Sequence, residues 1–100
     1  MPAFRAEVTH HLGQAEAVDR LKGFITQMLT RFEDHISAVN ETWDDNVLGF
    51  SLTTRGMMVK GTLTVETDTV RVDGQLPLLA APFRGMIQES ITTELAAALA

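Results

Sequence analysis

Val47-Leu48-Gly49-Phe50-Ser51-Leu52-Thr53-Thr54-Arg55-Gly56-Met57-Met58-Val59-Lys60-Gly61-Thr62-Leu63-Thr64-Val65-Glu66-Thr67-Asp68-Thr69-Val70-Arg71-Val72-Asp73-Gly74-Gln75-Leu76 is the stretch that decides the fold. Leu48, Phe50 and Leu52 alternate with small or polar residues. So do Met57, Val59, Gly61, Leu63 and Val65, and then Val70, Val72, Gly74 and Leu76. A period of two puts each set on one face of a strand, so 47–54, 57–66 and 70–76 read as half-buried strands. Arg55-Gly56 and Thr67-Asp68 are tight-turn candidates, and glycine makes the first the stronger.

Two-residue turns dictate a register that can be checked. A turn at Arg55-Gly56 sets Leu52 against Val59, Phe50 against Gly61 and Leu48 against Leu63. A turn at Thr67-Asp68 sets Val65 against Val70, Leu63 against Val72 and Gly61 against Gly74. Every apolar residue meets an apolar residue or glycine, and a one-residue slip would spoil all of these pairs.

The rest of the chain is read outward from this meander. Val39 to Trp43 predicts a shorter strand leading in through a turn at Asp44-Asp45-Asn46. Trp43 then faces Leu48, and Glu41 faces Phe50. Ala3 to His10 alternates, with Phe4, Ala6, Val8 and His10 on one side, and predicts the first strand. From Gln14 to His35 the period lengthens: Val18, Leu21, Ile25, Met28, Leu29, Phe32 and Ile36 form one helix face. Pro77 and Pro82 break the sheet after Leu76. A second helix is expected over 83–99, with Phe83, Met86, Ile87, Ile91, Leu95 and Leu99 as its stripe and Pro82 suited to its first turn.

The order β-α-β-β-β-β-α predicts an α+β fold, a single domain over residues 1–100. A single curved antiparallel sheet, in strand order 1-5-4-3-2, would have two helices packed on one face. That arrangement is similar to a reduced helix-grip fold, with the helices expected to cover the apolar face completely.

Composition narrows function by exclusion. The chain has 100 residues, 13 acidic and 8 basic, for a net charge of −5. Nucleic-acid binders need a basic footprint, so none is expected as a partner; a ribosome-associated factor, suggested by a similar strand and helix order, is opposed on the same ground. There is no cysteine, which excludes disulfides, thiolate metal sites and cysteine nucleophiles. No apolar run approaches the ~20 residues of a membrane span, and Arg5 and Glu7 interrupt any signal-peptide reading at the N-terminus. A cytoplasmic protein is expected.

No catalytic, cofactor-binding or metal-ligating set emerges. His10 and His11 are adjacent on a strand and point to opposite faces, so they do not share an ion readily; His35 ends a helix, where it suits the dipole. His10 reads most simply as a hydrogen-bonded core histidine. Glu41 faces inward and would suit acid–base work if buried; on a twisted edge strand it reaches water instead, which is the preferred reading. Phe50, Gly61 and Gly74 align across three strands as a candidate groove for an apolar ligand, against the plainer reading that the glycines bend the sheet or admit a packed ring. With His10 and Glu41 these are the candidate ligand residues. Met58 on the outer face and Leu78 and Leu79 in the linker are the candidate surface contacts. The edge strand near Trp43 would allow a homodimer by pairing across a two-fold axis.

Several segments carry a family resemblance. They are His10-His11-Leu12-Gly13 with Ala17 after it, Gly61-Thr62-Leu63-Thr64-Val65, Val70-Arg71-Val72, Leu76-Pro77-Leu78-Leu79 and Phe83-Arg84-Gly85-Met86-Ile87. In this order they resemble the putative polyhydroxyalkanoic acid system proteins, also called polyhydroxyalkanoate granule region proteins, nearly end to end. The resemblance implies a bacterial, cytoplasmic, non-enzymatic accessory protein of polyester storage that binds a granule surface or granule-associated proteins. It supplies no catalytic residues. The alternative function is a small apolar-ligand-binding domain using space between the sheet and the last helix.

Overall fold

The computed structural model describes residues 3–100. The strands are β1 (Ala3–Thr9), β2 (Ala38–Asp44), β3 (Val47–Thr54), β4 (Met57–Val65) and β5 (Thr69–Gln75); the helices are α1 (Gln14–Arg31) and α2 (Arg84–Ala98). Short 3-10 turns precede β2 (Glu33–His35) and α2 (Leu78–Phe83). All strand neighbours are antiparallel, in the order β1-β5-β4-β3-β2.

The expected register is observed at every pair. Leu52 faces Val59, Phe50 faces Gly61 and Leu48 faces Leu63. Val65 faces Val70, Leu63 faces Val72 and Gly61 faces Gly74. Trp43 faces Leu48, and Glu41 faces Phe50. At Arg55-Gly56 both φ angles are positive, 53° and 77°, as a type I′ hairpin requires. The β4–β5 turn is closed by the Glu66 N–H, which donates to the Thr69 carbonyl (2.8 Å).

The core lies on the inner face. Phe4, Ala6, Val8, Leu48, Leu63, Val65, Val70 and Val72 come from the sheet, Ala17 and Leu21 from α1, Leu95 from α2, and Leu76 and Leu99 from the segments flanking the C-terminal helical region. These residues are concentrated toward the end of the sheet where β1 finishes and α1 begins. Helix α2 runs along β1 and α1 passes over β4. The Arg5 N–H at the free margin of β1 donates to Gln88 Oε1 (2.9 Å).

The cover is incomplete, contrary to expectation, and width explains why. Five strands span about 19 Å, whereas a helix with its side chains is about 10 Å across. With α2 placed along β1, α1 must cover most of the sheet alone. Leu52, Met57, Met28 and Leu29 are therefore only half-buried. Two element ends also differ from the sequence reading. Helix α1 stops at Arg31, and Phe32 leaves it as a cap, exposed rather than continuing the stripe. Phe83 and Met86 are exposed as well. They precede Gln88, which binds the Arg5 N–H, by five and two residues, toward the start of β1.

Candidate functional site

Three places carry chemistry or unusual exposure. The first is the packed end of the sheet. His10, just after β1, is 3% exposed, and among the described residues no other polar or charged residue is buried as deeply. Its main-chain N–H donates to the Asp68 carbonyl (2.9 Å). The ring Nδ1 accepts from the Leu12 N–H (3.2 Å), and Nε2 lies 3.1 Å from the Glu66 carbonyl. Leu12 N–H can only donate and Glu66 C=O can only accept, so the ring is the neutral tautomer with its proton on Nε2. Both nitrogens are occupied by main chain, and His10 pins the start of α1 to the β4–β5 turn. Beside it, Gln14 Nε2 and Asn46 Nδ2 both donate to the Val65 carbonyl, at 2.9 and 2.8 Å. Among the described residues no buried side-chain nitrogen or oxygen lacks a partner, and no three His, Asp or Glu side chains gather as a metal set.

The second place is the glycine row. Phe50, Gly61 and Gly74 do line up across β3, β4 and β5. On the inner side a Cβ at Gly74 would overlap the Phe4 ring, and a Cβ at Gly61 would overlap the Asp73 carbonyl and lie 2.8 Å from the Gly74 Cα. Phe4 is thus the side chain packed against Gly74, and main chain is packed against Gly61. The open space is on the opposite face of the sheet, where a shallow depression of about 680 Å³ is floored by Gly49, Gly61 and Gly74. Asn40, Thr42, Ser51, Lys60, Thr62 and Gln75 line it. These residues share the outward face of their strands, but polar alternation alone reads as a solvated face; only the bend at the glycines makes it concave. Asp73, at its rim, is held by Arg5 Nε (3.1 Å) and Arg71 Nε (3.0 Å).

Glu41 lies on exposed edge strand β2, with the full width of the sheet between it and β1, which His10 follows. The candidate ligand residues therefore occupy separate places: His10 at one end, the glycine row in the middle, and Glu41 at the margin. A second, smaller depression lies along α1 at Glu16, Arg20, Phe24 and Gln27.

The third place is the end of the domain away from His10. Leu78 and Leu79 are 76% and 81% exposed, and Phe83 and Met86 are 53% and 61% exposed. Leu78, Leu79 and Phe83 lie in one 3-10 turn, and Met86 lies in the first turn of the helix that follows it. No residue from Leu76 to Phe83 is charged. Phe32, Val39 and Met58 are exposed at the same end of the sheet, Met58 on the outer face. Pro77 caps the 3-10 turn and Pro82 lies within it, which stiffens the segment that carries the leucines.

The architecture defines a small α+β domain with an open antiparallel sheet, a core at one end and an uncharged apolar segment at the other. The chain belongs to the putative polyhydroxyalkanoic acid system protein family, whose model matches residues 5–99. A similar fold occurs in the crystal structure of TTHA0849 from Thermus thermophilus, with a TM-score of 0.61 at 15% identity, over 98% of this chain and 94% of that one. No functionally curated protein matches. Among the described residues no helix is long and apolar enough to cross a membrane.

Proposed function

We propose that this chain is a non-enzymatic accessory protein of polyhydroxyalkanoate storage, acting through protein or granule-surface interaction, with the apolar end as its contact surface. The observation that carries this reading is the exposure of Leu78, Leu79, Phe83 and Met86 together on one segment whose linker carries no charge. Soluble monomers seldom leave large apolar side chains grouped in this way without a partner. The two prolines hold the segment in one shape, so little order is lost when it adsorbs. Family membership supplies the context of storage polyester. The deeply buried His10 serves the main chain through both ring nitrogens, which favours a structural role over acid–base work. The expected setting is the cytoplasm, at the granule surface.

Co-sedimentation with amorphous polyhydroxybutyrate particles tests the reading. The native chain should pellet with the particles, and the Leu78→Ser/Leu79→Ser variant should remain in the supernatant. Native protein that stays wholly in the supernatant would sink the granule-surface reading, and the same result with isolated native granules would sink the protein-mediated one.

The incomplete cover of the sheet supports a second reading, a small apolar ligand held over Phe50, Leu52 and Val59, which are half-buried. Trp43, the one tryptophan, lies on the same face and would report such a ligand by a change in its fluorescence.

A further inference from the structure

The two margins of the sheet are treated differently. At β1, α2 lies alongside and Gln88 takes up the Arg5 N–H. At β2, every residue except Trp43 is exposed; the strand contains no proline, lysine or glycine, and the inward-facing charge of Glu41 is what blunts it. The β2–β3 hairpin closes at the pair Asp44–Val47. A two-residue loop makes the closing pair hydrogen-bonded, and such pairs then alternate. Asp44, Thr42, Asn40 and Ala38 therefore bond to β3, while the N–H and C=O groups of Val39, Glu41 and Trp43 point outward.

We infer that β2 pairs antiparallel with β2 of a second copy of this chain, with Glu41 on the two-fold axis, joining two five-stranded sheets into one. This goes beyond the proposed adsorption and does not depend on it. The choice of register follows from the outward groups, which must face one another. With Glu41 on the axis there are three hydrogen-bonded pairs: Val39 with the partner's Trp43, Trp43 with the partner's Val39, and Glu41 with the partner's Glu41. With Thr42 on the axis only Glu41 and Trp43 pair, in both directions, and Val39 falls opposite a turn. The Glu41 register adds a hydrogen-bonded pair and sets Val39, which is exposed in the monomer, against an aromatic ring twice over. Its cost is one like-charge pair at a solvent-exposed site. Each aromatic–aliphatic contact is of the same order as that repulsion, so two such contacts and the extra hydrogen bonds outweigh it. Glu41 then limits the strength of the dimer without preventing it.

Cross-linking tests both the interface and the register, because the chain has no cysteine of its own. Hydrogen-bonded antiparallel pairs have Cα atoms about 5.5 Å apart, within the range a disulfide spans. Glu41→Cys should form a covalent dimer on mild oxidation. Thr42→Cys should not, being offset from its own copy by two residues. Preferential cross-linking of Thr42→Cys would overturn the register, and failure of both variants to cross-link would overturn the interface.

Sedimentation equilibrium of the cysteine-free chain gives an independent measure. Glu41→Gln should tighten the dimer about two- to fivefold by removing the repulsion. Glu41→Pro should leave it monomeric, since proline removes an outward N–H that β3 does not use. Should Glu41→Pro fail to fold, Val39→Pro makes the same test at another outward position. A native chain that is monomeric at millimolar concentration, or a dimer indifferent to these prolines, refutes the inference.

Discussion

The Phe4 ring occupies the place that a Cβ on Gly74 would need, with the Lys60 carbonyl closing the other side at 2.8 Å. β1, β4 and β5 thus meet at a point where only glycine fits. Gly61, opposite Gly74, is constrained by main chain and not by a side chain that can turn aside. Gly74→Ala should therefore cost about 1–3 kcal/mol, the usual range for overpacking, and Gly61→Ala should cost at least as much. Gly49→Ala is the contrast: the nearest atom to its Cβ is the Thr42 carbonyl at 4.0 Å, so stability should change by less than about 0.5 kcal/mol. Urea unfolding of the three variants measures this. A Phe4→Leu/Gly74→Ala double variant should lose less than the sum of its parts, because the shorter side chain relieves the overlap.

His10 makes a second prediction. Replacing it with leucine keeps the bulk but strips partners from the Leu12 N–H and the Glu66 carbonyl, both bound by its ring. Each of these two part-buried groups costs about 1–3 kcal/mol when left unpaired, so His10→Leu should destabilise by roughly 2–6 kcal/mol. Hydrogen exchange should show the loss concentrated at the Leu12 amide and the β4–β5 turn. An unchanged unfolding midpoint would refute the structural role assigned to the ring.

How much of this was legible in the sequence differs from one element to the next. The meander was legible because side-chain period and turn length are independent constraints, and at Phe50–Gly61–Gly74 they agree. The inward placement of His10 followed from the same parity. The failures share one physical origin: periodicity says which face a residue occupies and not how far the opposing layer extends. Phe32, Phe83 and Met86 continue apolar stripes, yet they lie past the covered part of the sheet and are exposed. The depression over Gly49 was hidden for a related reason. Alternating Ser51, Lys60 and Thr62 look like any solvated face until neighbouring strands close up at the glycines.

Core and apolar end should respond oppositely to the same substitution. Leu95 is buried in the core, whereas Leu79 is largely exposed. Leu95→Ala should cost about 2–5 kcal/mol. Leu79→Ala should stay within about 0.5 kcal/mol while weakening adsorption to polyester particles. Thermal unfolding read beside the pelleting assay separates the two effects. If Leu79→Ala destabilised as much as Leu95→Ala, its side chain would be serving the core, and the proposed contact surface would lose its central residue.

The last prediction concerns the covered margin of the sheet. Gln88 Oε1 accepts the Arg5 N–H from outside the ladder, so α2 docks on β1 through main chain as well as through Leu95. Removing the amide in Gln88→Leu deletes one hydrogen bond at an exposed site, worth about 0.5–1.5 kcal/mol. The larger effect should be local: the Arg5 amide should exchange faster, while the amides of Ala6 and Val8, which face β5 along the paired side of the strand, keep their protection. Equal loss of protection at Arg5, Ala6 and Val8 would mean that α2 holds β1 in the sheet rather than only closing its edge.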